Sequence, residues 1–135
     1  MRMRKLDIAC IIDDDKIFTY VLSKQMKVVD FCENLLVFHN GLEAIKHLKP
    51  ILESPEVLPD VILLDLNMPV MDGWQFLDEF IKLKVSKKIT VYIVSSSIDV
   101  ADHAKAATYK AISNFYIKPI SRDDLAEMMS EISAA

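Results

Sequence analysis

The chain has 135 residues, 52% of them hydrophobic and 27% charged, with a formal net charge of -4 at pH 7. That length suits one domain, is too short for two ordinary ones, and carries enough apolar residues to bury a core. The mildly acidic, sign-mixed composition leaves no electrostatic footprint for nucleic acid, and there is neither a signal-peptide pattern nor a run of about 18 apolar residues to enter a membrane.

The basic start, Met1-Arg2-Met3-Arg4-Lys5, reads as a solvated terminus. Asp7 to Ile12 is a short, continuous apolar run, as expected of a strand buried on both faces. Ile17 to Val29 follows as a helix, with Ile17, Val21, Leu22, Met26 and Val29 near helical spacing. Leu35 to Phe38 is the second strand. Leu42 to Leu52 is helical in pattern, with Pro50 placed to kink it. Ser54 to Pro59 forms a loop and Asp60 to Leu64 the third strand. Asn67 to Gly73 is rich in turn formers, and Trp74 to Leu83 is the third helix, with Trp74, Leu77, Phe80 and Ile81 on one side. Ile89 to Val94 is the clearest strand. Asp99 to Ile112 reads as an alanine-rich helix, Phe115 to Ile117 as the fifth strand, and Asp123 to Ile132 as the last helix, N-capped by Ser121. Alternation of strand and helix predicts a parallel sheet covered on both faces, with right-handed crossovers. Cys10 falls inside an apolar run and Cys32 stands apart, without zinc or CxxC spacing, so a cytoplasmic protein with reduced thiols is expected.

Open parallel sheets carry their chemistry beyond the C-terminal ends of the strands. Those ends are Asp13-Asp14-Asp15, His39-Asn40, Asp65, Ser95-Ser96-Ser97 and Lys118-Pro119. Each has a bland reading. The aspartate run serves equally as a helix N-cap with first-turn acids, Asp65 as a loop cap, the serines as a turn, and Lys118 as a solvated surface lysine. Taken together they say more. Carboxylates crowded at one edge disfavour each other's ionisation, and a hard cation such as Mg2+ relieves this through oxygen ligands. With a lysine and a hydroxyl opposite, such a set could hold a phosphoryl group on one carboxylate.

In this order and spacing, Ile12-Asp13-Asp14-Asp15, Leu63 through Gly73, Val94-Ser95-Ser96 and Phe115 through Pro119 closely resemble the response-regulator receiver family of two-component signalling, over about Leu6 to Ile132. The resemblance implies a single receiver domain over 1–135, with a core of about 6–132. It implies a flavodoxin-like, doubly wound α/β fold, with a five-stranded parallel sheet in the order 2-1-3-4-5 and five helices. It makes Asp65 the phosphoacceptor. Asp13 and Asp14 become the acidic pair holding Mg2+, with Asp65 and the backbone carbonyl of Asn67 completing the ligands. Ser95 becomes the switch hydroxyl, Lys118 the partner of a phosphoryl oxygen, and Phe115 the switch aromatic. Pro119 would follow a cis peptide bond, and Ser96 and Ser97 flank the site. Departures are few: serine for the commoner threonine at 95, Asn114 where many relatives have glycine in a left-handed turn, and Phe115 without a tyrosine hydroxyl.

A receiver of this kind is not an enzyme beyond its own phosphorylation and dephosphorylation. The implied partners are a sensor histidine kinase or histidine phosphotransfer domain and an unidentified downstream protein, with no nucleic acid and no membrane. The last predicted helix reaches the end of the chain, so a stand-alone receiver is expected. The alanine-rich fourth helix reads either as a docking face, with Tyr109 and Tyr116 near it and homodimerisation left open, or as a packed helix of high propensity. Two other readings stay in view: a phosphorylation-independent binding module, and a haloacid-dehalogenase-type phosphohydrolase using Asp13. Against the second, Ile17 follows the acidic run where threonine or valine is expected, and Asp65 has no role. No phosphate-cradling loop supports a flavin carrier, and His39 and His47 make no metal site.

Overall fold

The computed structural model describes residues 5–134, so Met1 to Arg4 of the basic start lie outside the described residues. The elements are β1 (Leu6–Ile12), α1 (Lys16–Val28), β2 (Cys32–Phe38), α2 (Gly41–Leu48), β3 (Val61–Leu64), α3 (Gly73–Phe80), β4 (Thr90–Ser95), α4 (Val100–Ala106), β5 (Ile112–Ile117) and α5 (Arg122–Ala134), with two short 3-10 turns at Lys49–Ile51 and Pro55–Val57. All pairings are parallel and the order is β2-β1-β3-β4-β5, the expected flavodoxin-like arrangement. No helix among the described residues is long and apolar enough to cross a membrane.

Strand residues alternate between two buried layers. Ala9, Ile11, Val61, Leu63, Tyr92 and Val94 meet α1 and α5, while Cys10, Ile12, Ile62, Leu64, Val91 and Ile93 meet α2 and α3. Because both faces are covered, Ile8 to Ile12, Val61 to Leu64 and Val91 to Val94 are unbroken apolar runs.

Several expected boundaries and faces shift. Pro50 has no N–H, and α2 gives way after Leu48 to the Lys49–Ile51 3-10 turn. In α1 the buried arc is Thr19, Leu22 and Met26; Ile17 and Val21 lie outside it and face solvent. Successive side chains turn by about 100°, so Val21 cannot share the inward direction of Leu22. Ile81 is likewise exposed, and Phe76 fills the buried place on α3. The fourth helix stops at Ala106, where Thr108 turns its hydroxyl back onto the Lys105 carbonyl at 2.6 Å and Tyr109 leaves to stack on Trp74. Ile112, expected at a helix end, instead opens β5, and β2 begins at Cys32. Asn114 lies within β5 and is not among the residues of positive φ, so no left-handed turn is needed there. Tyr116 is buried in the core. Of the expected alanine face on α4, only Ala106 is buried.

Candidate functional site

Four strand ends converge. The Asp13 N–H donates to the Phe38 carbonyl and the Asp65 N–H to that of Ile12, which fixes both acidic residues where β1 and β3 stop. Asp13 is buried. One of its oxygens accepts the Asp15 N–H at 2.9 Å and the other meets Lys118 Nζ at 2.8 Å. Asp65 is also buried, accepts the Leu66 N–H at 2.9 Å, and lies 3.7 Å from the same ammonium. Asp14 is exposed, and Asp15 caps α1 by accepting the Phe18 N–H. One carboxylate oxygen from each of Asp13, Asp14 and Asp65 falls within 4.8 Å of the others.

Burial pushes Asp65 up from the ordinary 3.8 to about 6. The neighbouring Asp13 charge adds to this and Lys118 opposes it. Burial also raises Asp13, against its hydrogen bond from Lys118. Such a set of carboxylates suits a hard cation with oxygen ligands.

Ser95 ends β4 fully buried, its Oγ accepting the Ser97 N–H at 3.2 Å; its carbonyl accepts the Lys118 N–H at 2.9 Å, which places the lysine beside it. Ser96 is exposed and Ser97 half-buried. The Lys118–Pro119 peptide bond is cis. Phe115 is half-buried and packs against the α2–α3 layer. Asn67 sits exposed in the loop after β3.

The sequence reading gave no role to three residues here. Phe18, on the first turn of α1, has its ring centroid 4.3 Å from Lys118 Nζ and walls the ammonium; an aromatic four residues past the acidic pair was the only signal. Gly73 approaches Asp65 so closely that a Cβ there would collide with the Asp65 carbonyl oxygen and lie 2.9 Å from Leu66 Cα. Its N–H closes the loop onto the Leu66 carbonyl at 2.9 Å. His103 of α4 stacks on Phe115 with ring centroids 3.8 Å apart.

The model of the family described as "Response regulator receiver domain" matches residues 9–130, which takes in every one of these strand ends. The chain belongs to the response regulator receiver family. It is a CheY-like receiver of two-component signalling. It is 30% identical over 121 residues to the chemotaxis protein CheY of Listeria monocytogenes, covering 90% of this chain and 93% of that one. A two-component response regulator from Cytophaga hutchinsonii has the same fold at a TM-score of 0.86 and 28% identity, over 98% of this chain and 100% of that one. The receiver domain of a Pseudomonas aeruginosa sensor histidine kinase, whose structure has magnesium coordinated in its active site cleft, superposes at a TM-score of 0.77 over 98% of this chain and 100% of that one. At 14% identity this is a likeness of fold alone.

Proposed function

We propose that this receiver is a Mg2+-dependent switch whose Asp65 accepts a phosphoryl group from the phosphohistidine of a kinase or phosphotransfer protein. One observation carries this reading: three carboxylates within 4.8 Å of one another share a strand-end cleft with one lysine ammonium. When ionised, three carboxylates and one ammonium leave the cleft at a charge of about -2, which a divalent cation balances. Asp13, Asp14 and Asp65, with the Asn67 carbonyl, would hold Mg2+, and the ion would supply positive charge to the phosphoryl oxygens.

The chain's own residues do the rest. An Asp65 carboxylate oxygen attacks phosphorus in line, the P–N bond to the donor imidazole breaks, and its electron pair stays with the imidazole. The Lys118 ammonium, now on Asp13, is near enough to Asp65 to turn toward a phosphoryl oxygen. Ser95 rotates to donate its hydroxyl, and Phe115 and the α4-β5-α5 surface respond, a shift between two populations that a downstream protein reads. Ile17, Tyr20 and Val21, which follow the acidic pair in the chain on α1, are exposed and would offer the donor apolar contact.

The test is intact-mass spectrometry after incubation with acetyl phosphate, with and without Mg2+. A gain of one phosphoryl group that needs both Mg2+ and Asp65 supports the proposal. A gain that persists in Asp65→Asn moves the acceptor to Asp13 and favours the phosphohydrolase reading.

A further inference from the structure

Ser97 ties down the loop that follows Ser95. Its N–H donates to Ser95 Oγ at 3.2 Å, its hydroxyl donates to Asp102 at 2.6 Å, and the same oxygen receives the Asp99 N–H at 3.2 Å. Its carbonyl oxygen lies 3.2 Å from His103 Nε2. A carbonyl only accepts, so this contact holds the imidazole as the Nε2–H tautomer or as imidazolium. The other face of the contact is aromatic: the His103 and Phe115 rings stack at 3.8 Å between centroids and 24° between planes. One side chain thus joins the loop carrying the buried hydroxyl to the ring on the neighbouring strand.

We infer that His103 is a positioning residue that couples Ser95 to Phe115, latching the Phe115 ring in its resting place while the Ser97 carbonyl registers the latch to the Ser95 loop. This deepens the proposed switch and rests on it. The arrangement is that of the unphosphorylated site: the Ser95 oxygen is accepting from Ser97, and Lys118 is closer to Asp13 than to Asp65. Rotation of Ser95 toward a phosphoryl group carries its oxygen off the Ser97 N–H. Ser97 then shifts, its carbonyl moves relative to His103, and the stack on Phe115 loosens. The geometry gives the coupling a defined sign. A latch that stabilises only the resting state opposes any ligand that needs the switched state, so its removal must tighten that ligand.

The experiment is a beryllofluoride titration in Mg2+ of the wild type, Asp65→Asn, His103→Ala and His103→Phe, with the Phe115 ring resonances followed by NMR in the free proteins. Loss of an aromatic pair predicts that His103→Ala binds beryllofluoride roughly twofold to tenfold more tightly than wild type. Its Phe115 resonances should also leave their ring-current-shifted positions. His103→Phe keeps the stack and loses the bond to Ser97, so it should fall between the two. It also keeps the test sharp if the alanine variant folds poorly. A purely structural histidine would show the opposite sign, weaker binding alongside a lower melting temperature. If the wild type binds, Asp65→Asn does not, and both His103 variants match wild type, the latch is wrong and the phosphorylation switch stands. If the wild type neither binds beryllofluoride nor takes up phosphoryl groups, the switch reading fails and takes the latch with it.

Discussion

The helices on either side of β5 are held in opposite ways. α5 puts Leu125, Met128 and Met129 into the core, and two tyrosine hydroxyls reach it from the sheet: Tyr92 to Glu131 at 2.8 Å and Tyr116 to Glu127 at 2.6 Å. α4 buries only Ala106. Its attachments are the Ser97–Asp102 bond, the His103 contacts, and Lys105, whose Nζ lies 4.8 Å from the Trp74 ring centroid. Burial of a large apolar side chain contributes about 1.5–3 kcal/mol, whereas a ring stack or a partly buried hydrogen bond contributes about 1 kcal/mol and can be exchanged for another. A helix held by exchangeable contacts can move without unfolding the domain. Under the proposed switch, the difference predicts that α4 moves and α5 stays anchored.

The largest effect should come from removing the anchor. Leu125→Ala is expected to cost about 2–5 kcal/mol in urea unfolding. Its solvent-facing counterpart on α4, Val100→Ala, at a residue 81% exposed, should stay within about 0.5 kcal/mol. A comparable loss at both positions would abolish the contrast.

Asp65 adds a pH dependence. The folded chain raises its pKa from 3.8 to about 6, mainly by burial, so the folded state holds this proton more tightly than the unfolded one. Its contribution therefore falls as pH rises from near 3.8 through about 6 and is fully unfavourable above that range. Without divalent metal at pH 7, Asp65→Asn should be more stable by about 1–2 kcal/mol, and the gain should vanish below pH 4. Thermal melts across pH check this. Added Mg2+ should raise the wild-type melting temperature more than that of the variant.

Tyr116→Phe should cost about 1 kcal/mol and leave phosphoryl uptake from acetyl phosphate unchanged. Burial first, then the bond to Glu127, pushes the Tyr116 pKa well up, so the hydroxyl remains a donor at neutral pH. Altered uptake would mean that the α5 clamp belongs to the switch. The smallest effect on stability, under about 0.5 kcal/mol, is expected for Lys105→Ala. That variant should nonetheless shift the emission of Trp74, the chain's single tryptophan. It should also shrink the fluorescence change on beryllofluoride binding, because Lys105 is the α4 group over the indole.

The sequence exposed the sheet and the acidic cleft because both are written locally. β1, β3 and β4 each carry a continuous apolar run, and a run ending in Asp13, Asp65 or Ser95 places that residue at the strand end whatever surrounds it. What escaped depends on contacts between distant segments. Alanine propensity carried the fourth helix on to Ile112, but Tyr109 leaves it to stack on Trp74, and nothing near either residue announces the other. His103 looks like any polar residue on a surface helix until β5 brings Phe115 beneath it. Ile17 and Val21 fit a helical period, but only packing decides which arc of a helix faces inward.

Gly73 sets a rule for anyone reshaping this domain. Its N–H closes a ring on the Leu66 carbonyl, its missing side chain leaves room for the Asp65 backbone, and Asp72 and Gln75 box the start of α3 directly behind it. The loop before it is tied in as well: the Met71 carbonyl accepts the Gly41 N–H at 3.0 Å, and Met68 and Met71 pack against the α2–α3 layer. Position 73 tolerates the least. A methyl group there would press on the Asp65 backbone itself, so one hydrogen in place of a carbon separates a closed strand end from a displaced one.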